Sequence, residues 1–279
     1  KGHNCIVTKE IEVDVELLPD SVELICEAGT GFNNINLQKA SERGIRVTNV
    51  PEYSTEAMAH LVITSILNSS ASMIKQQKML ERNEREHFTN FSGLPHFELE
   101  GKSVGLIGGN GAIGRRVCEL AKAFRMKPYV YSRSAKRKTE LYDVYQSLEE
   151  LLSESDFVSI HCPLNDSTRG MLDYEKLSLM KPTSYLINTA RGAICNEDDL
   201  IRILREKKIG GACLDVQTKE PPDDDSLLWN PRNIFEDNLT LTPHIGWKRV
   251  ETRQRLIDSV AERIKEFARG EDILNVVNR

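Results

Sequence analysis

Val104-Gly105-Leu106-Ile107-Gly108-Gly109-Asn110-Gly111-Ala112-Ile113-Gly114-Arg115-Arg116 is the stretch that decides the fold. Val104–Ile107 is a short apolar run of the kind that forms a buried strand. It breaks into glycines that open a helical pattern over Ala112–Phe124. Gly109, Gly111 and Gly114 fit G-x-G-x-x-G. In that arrangement the first glycine makes a tight turn, the second lets backbone approach a pyrophosphate, and the third lets helix and strand pack closely. Ala112 and Ile113 then lie in a helical first turn whose N–H groups face the phosphates. The strand before and the helix after favour dinucleotide binding over an ordinary turn. Gly108 and Gly109 are adjacent, so the loop is one residue longer than the usual register, and the sequence leaves open which of them turns the chain.

Outward from this loop the pattern repeats. Apolar runs at Pro128–Tyr131, Phe157–His161, Tyr185–Asn188, Gly211–Val216 and Leu239–Leu241 read as further strands, with helical patterns at 112–124, 147–153, 173–180 and 197–207. Six strands alternating with helices predict an α/β fold with a Rossmann-like, doubly wound parallel sheet, which binds ligands at the carboxyl ends of its strands. On the amino-terminal side, Cys5–Thr8, Val22–Cys26 and Ile45–Asn49 read as strands, and Leu37–Arg43 as a helix stopped by Gly44. Ser54 or Thr55 caps one long helix that runs through Met73 and Ile74 to the charged end at Glu81–Arg85. Residues 86–100, with Phe88, Phe91, Gly93, Leu94, Pro95 and Phe97, form an aromatic loop that packs locally or docks on a second subunit. A last amphipathic helix carries Leu256, Val260, Ile264 and Phe267 on one face and stops at Gly270.

Composition narrows the class. A net charge of −5 argues against a nucleic-acid surface and gives no sign of attraction to a membrane. No apolar run approaches the roughly 18 residues of a membrane span, and no signal peptide is visible. Six scattered cysteines without C-x-x-C suit reduced thiols in a cytoplasmic protein, and no cluster of His, Cys or carboxylates has metal-ligand spacing.

Three strand ends carry titratable residues: Asn188-Thr189-Ala190-Arg191-Gly192, Leu214-Asp215-Val216 with Glu220-Pro221-Pro222 after it, and Thr242-Pro243-His244-Ile245-Gly246-Trp247. Together with Ala28-Gly29-Thr30-Gly31-Phe32-Asn33-Asn34-Ile35, Asn49-Val50-Pro51, Gly101–Gly105 and His161-Cys162-Pro163-Leu164, they make the chain similar to the D-isomer-specific 2-hydroxyacid dehydrogenase family. The segments stand in the family's order from about Cys5 to Asn278. The resemblance implies that the family's first strand and helix precede Lys1. It also implies two domains: residues 1–52 and 249–279 would form a smaller, flavodoxin-like substrate domain, and 53–248 a coenzyme domain.

The resemblance carries roles as well. Arg191 matches the substrate-binding arginine, His244 the acid/base, and Glu220 the carboxylate paired with that imidazole. A guanidinium can grip carboxylate and carbonyl oxygens together, and an imidazole at the carbonyl can move the proton. Gly29, Thr30 and Gly31 would hold the substrate carboxylate on backbone N–H groups. Cys162, Pro163, Thr168, Thr189, Ala190, Asp215, His244 and Gly246 would line the cofactor groove, with Asp215 at the nicotinamide carboxamide. The position that binds the ribose 2′-hydroxyl in NAD-preferring sheets is Ser132, followed by Arg133 and a basic run Lys136-Arg137-Lys138. A hydroxyl and an arginine suit a 2′-phosphate, so NADP(H) is expected, with NAD(H) the alternative. Trp247 and Glu220-Pro221-Pro222 resemble the glycerate dehydrogenase and hydroxypyruvate/glyoxylate reductase branch, implying a small 2-oxo or D-2-hydroxy acid substrate. A homodimer is implied too. The competing reading is a dinucleotide-sensing, corepressor-like module, which a panel of 2-oxo acids separates from an enzyme.

Overall fold

The computed structural model describes residues 3–85, 94–135, 137–229 and 238–278. The chain divides into two compact units, Lys1–Ala57 with Trp247–Arg279, and Met58–Gly246. The expected cuts lay after residues 52 and 248. Trp247 therefore belongs to the smaller unit, where it packs with Ala28, Val50 and Tyr53.

The smaller unit is built on three parallel strands in the order β1 (Cys5–Thr8), β2 (Leu24–Glu27), β3 (Arg46–Thr48). Val22, predicted as the first residue of the second strand, lies outside it and packs beneath it. Helix α1 (Leu37–Glu42) begins at Asn36, whose side chain accepts the N–H of Lys39, and ends at Gly44, which takes a left-handed φ of 69°.

In the larger unit the predicted long helix is two helices, α2 (Thr55–Ala71) and α3 (Met73–Glu81), bent by 59°. Ser72 sits between them with φ 49°, in the left-handed region. Its hydroxyl donates to the Pro95 carbonyl, so a tertiary bond holds the break. The larger sheet has β4 (Ser103–Ile107), β5 (Lys127–Tyr131), β6 (Asp143–Val144), β7 (Phe157–Ile160), β8 (Tyr185–Asn188), β9 (Gly211–Leu214) and β10 (Leu239–Leu241). All pairings are parallel and the order is β10-β9-β8-β7-β4-β5-β6. β6 is a seventh strand that the sequence pattern did not predict. The intervening helices are α4 (Ala112–Ala123), α5 (Leu148–Glu154), α6 (Tyr174–Leu177) and α7 (Glu197–Arg205), and α8 (Val250–Ala268) follows in the smaller unit.

Successive strand residues point to opposite faces, and both faces are apolar. Leu186, Ala212 and Leu214 enter one core with Val158 and Ile160, while Ile187 and Cys213 enter the other with Val104 and Leu106. That is the signature of a parallel sheet covered on both sides. Strand order reverses between β4 and β7, so the loops after these two strands border the crevice in which such sheets bind ligands.

Phe97 packs into the second of these cores with its ring 6.1 Å from that of Phe157. The rest of the aromatic segment, from residue 86 to 93 and including Phe88, Phe91 and Gly93, lies outside the described residues, as does Lys136. Among the described residues no single helix is long and apolar enough to cross a membrane. The six cysteines are free thiols.

Candidate active site

The loop after β4 resolves the choice between its first two glycines. Gly108 has φ 78°, and a Cβ on it would lie 2.7 Å from the Cys162 nitrogen, so it is the residue that turns the chain against the loop after β7. Gly109 instead packs on the helix: a Cβ on Gly114 would fall 2.4 Å from the Gly109 Cα. Gly111 caps α4 in extended conformation, and a Cβ there would meet nothing nearer than 3.9 Å. The first-turn N–H groups of Ala112, Ile113 and Gly114 have no partner within the helix. A pyrophosphate fits this open, N–H-lined end.

Cys162 is half-buried, and burial pushes its thiol up to about 11 despite the nearby charge of Arg133. Arg133, in the turn after β5 that Ser134 fastens to the glycine loop, is exposed to solvent. Ser134 ties the turn after β5 to the same loop, its hydroxyl accepting from the Asn110 side chain at 2.8 Å. The Ser132 hydroxyl lies 3.3 Å from that of Ser134. Of the basic run, Lys138 is paired with Asp143 at 2.6 Å. Thr168 is buried, its hydroxyl donating to the Pro163 carbonyl at 2.7 Å.

The carboxyl ends of β8, β9 and β10 gather Arg191, Glu220 and His244. Gly192 allows this, because a Cβ there would lie 2.0 Å from the backbone of Gln217. The chain after Arg191 can therefore lie directly against the segment that carries Glu220. Glu220 accepts the Gln217 N–H at 2.8 Å through one oxygen and meets His244 Nδ1 at 2.6 Å through the other. Burial would raise the Glu220 carboxyl, but His244, the Gln217 N–H and the charge of Arg191 together hold it below its usual value. Thr189 is buried at the end of β8, and the N–H of Ala190 is held by the Asn188 side chain at 3.0 Å.

His244 has φ 51°, a left-handed conformation that its surroundings must impose. Asp215 imposes it. Its side chain is buried and accepts from the Thr242 hydroxyl at 2.6 Å and from the N–H groups of Ile245 and Gly246 at 2.8 and 2.9 Å. Its main-chain carbonyl accepts the His244 N–H at 2.9 Å. Gly246 fits because a Cβ would press on Met58 and on this same carboxylate.

In the smaller unit, Gly29-Thr30-Gly31 follows β2. The Val50 N–H donates to the Gly29 carbonyl at 2.9 Å, and the Asn49 side chain to the Thr30 carbonyl at 2.7 Å. Among the described residues, none accepts a hydrogen bond from the N–H of Gly29, Thr30 or Gly31. Three consecutive backbone N–H groups are thus open to a ligand in this loop.

The NAD-binding domain of the D-isomer specific 2-hydroxyacid dehydrogenases matches residues 41–246. The chain belongs to that family. A glyoxylate reductase of Aeropyrum pernix is 37% identical over 282 residues, covering 98% of this chain and 82% of that protein. A D-lactate dehydrogenase of Aquifex aeolicus, solved with NAD and lactic acid, is similar at a TM-score of 0.87 and 30% identity, over 99% of this chain and 87% of that one. An NADPH-dependent glyoxylate/hydroxypyruvate reductase of Sinorhizobium meliloti, solved with NADP and malonate, gives a TM-score of 0.85 and 27% identity, over 98% and 83%. As a D-2-hydroxyacid dehydrogenase, the protein is a nicotinamide-nucleotide-dependent oxidoreductase.

In each unit of this D-2-hydroxyacid dehydrogenase the structure adds residues to which the sequence alone assigns no role. Asn110 is an unmarked position of the glycine motif, yet it links that loop to Ser134. Thr242 and Asn49 stood in quoted motifs without a role. A short polar side chain just past a strand end was the available signal for both.

Proposed function

We propose that the protein reduces small 2-oxo acids, glyoxylate and hydroxypyruvate foremost, and oxidises the matching D-2-hydroxy acids in reverse. The observation that carries this reading is the His244–Glu220 contact of 2.6 Å with the charge of Arg191 beside it. When bound, the nicotinamide supplies or accepts the hydride at the substrate's C2. In the larger unit Arg191 is suited to grip carboxylate and carbonyl oxygens together. In the smaller unit the N–H groups of Gly29, Thr30 and Gly31 are suited to a carboxylate. Glu220 engages Nδ1 of His244, so the proton delivered to the carbonyl oxygen moves through Nε2. With three donors already on its carboxylate, Asp215 has capacity for about one more, which suits a carboxamide N–H.

Glyoxylate and hydroxypyruvate come from the relatives' activities. For the cofactor we favour NADPH: Ser132 and the exposed Arg133 stand where a carboxylate would repel a 2′-phosphate. A two-fold dimer is supported by exposed Leu67, Met73, Ile74 and Leu80 on α2 and α3, which a second copy would cover; sedimentation as an active monomer would contradict it.

The test is turnover. The unmodified protein, given NADPH and then NADH with glyoxylate, hydroxypyruvate, pyruvate and larger 2-oxo acids, should oxidise the nucleotide fastest with the first two. Nucleotide binding without turnover on any of them would favour a sensing module instead.

A further inference from the structure

We infer that Asn49 is a positioning residue for substrate binding, holding the peptide between Thr30 and Gly31 in the one orientation that accepts a carboxylate. The inference rests on the reading of Gly29–Gly31 as the carboxylate loop. In a planar trans peptide the carbonyl oxygen and the N–H point in opposite directions. Whatever grips the oxygen of residue 30 therefore aims the N–H of residue 31 the other way. Asn49 Nδ2 grips the Thr30 oxygen at 2.7 Å, and the Val50 N–H does the same for the Gly29 oxygen at 2.9 Å. The next two residues after β3 thus orient two successive peptides, and aim the N–H groups of Gly31 and Thr30 together. The Thr30 hydroxyl closes the arrangement by donating to the Val50 carbonyl at 3.2 Å.

The two grips differ in kind. That of Val50 is made by backbone, so any residue there except proline supplies it. That of Asn49 is made by a side chain that is 7% exposed, and it needs a donor of this length. Lost, it frees the Thr30–Gly31 peptide to rotate and present its oxygen to the substrate, exchanging attraction for repulsion. Glu27 braces the loop from below: it is fully buried at the end of β2, accepts from the Asn34 side chain at 2.8 Å and so fastens the two ends of the loop to each other. The loop's position is therefore secured apart from Asn49, and what Asn49 adds is the orientation of one peptide.

Asn49→Asp is the discriminating change, because it keeps the shape and replaces the donor by an acceptor. We expect the KM for glyoxylate to rise by about 10- to 100-fold, kcat to stay within about threefold, and NADPH affinity measured by fluorescence titration to stay unchanged. Should that variant not fold, Asn49→Ser, whose side chain is too short to reach Thr30, carries the same expectation. Gly31→Pro, which removes one N–H of the loop, is measured beside it. An unchanged KM in both Asn49 variants with a raised KM in Gly31→Pro would overturn the positioning role and leave the carboxylate loop standing. Unchanged KM values in all three would overturn both. A fall in kcat with KM preserved would also overturn it, since orientation of a binding group acts on KM.

Discussion

The turn at His244 and the turn after β5 both lie at strand ends of the same sheet, and they are held very differently. The His244 turn is fixed by a buried carboxylate with three donors, a main-chain bond from Asp215 and the contact with Glu220. Among the described residues of the turn from Ser132 to Lys138, Ser134 bonds Ser132 and Asn110 through side chains, Ala135 packs in the second core, and Lys138 makes a surface pair with Asp143. Exposed pairs of that kind contribute little, a median of about 0–1 kcal/mol. The first region leaves its imidazole one orientation. The second leaves Arg133 exposed, without a comparable set of bonds to fix its side chain. If these two turns serve reaction and cofactor choice as proposed, the first is rigidly built and the second is adjustable.

Substitutions can break that contrast, and the expected effects run from large to small. Arg191→Ala should lower kcat/KM for glyoxylate by roughly 10²–10³, because removing one partner of a charge pair costs about 2–5 kcal/mol; steady-state kinetics with saturating nucleotide would show it. A variant with both constants preserved would place Arg191 outside the reaction.

Glu220→Gln should lower kcat by about 10- to 100-fold while leaving nucleotide affinity alone. It also carries a pH signature. The Glu220 carboxyl lies below its usual value, so it is ionised at neutral pH, and its contribution is lost only as pH falls through that lowered value. The acid limb of the reduction rate should therefore fall below the ordinary carboxylate range of about 4.3, and Glu220→Gln should remove it. An acid limb that persists in the variant would assign it to another group.

The weakest expected effect is at the second turn. Ser132→Asp combined with Arg133→Gln should shift the NADPH-to-NADH preference by about tenfold toward NADH, because solvent around the exposed Arg133 holds the lost charge-assisted bond to the low end of its usual range of about 1.5–3 kcal/mol. Equal affinities for the two nucleotides before and after the change would make Arg133 plain solvated surface.

The legible parts of the sequence were those where one residue type answers to one geometry. Gly109, Gly111 and Gly114 stand where backbone approaches backbone or a helix must open, and alternating apolar runs on both faces specify a buried parallel strand. The break at Ser72 was not legible, because the apolar period of a helix continues across it and the cause is a hydroxyl bonded to Pro95, distant in sequence. β6 is only two residues, Asp143 and Val144, too short for any periodicity. At the candidate site, Arg191, Glu220 and His244 were legible as chemistry. What holds them was not: the Asp215 carboxylate organises a turn 27 to 31 residues away in sequence, and Gly192 matters only for its closeness to Gln217.

His244, turned by Asp215 and held by Glu220, is expected to give its proton to the substrate. The measurement that bears on it most directly is nucleotide oxidation with glyoxylate by the unmodified protein and by His244→Ala, with NADPH affinity determined on both samples. NADPH affinity should be unchanged and kcat lower by about 10²–10⁴, the usual worth of a general acid. A variant that binds NADPH and still reduces glyoxylate at near the unmodified rate would contradict it.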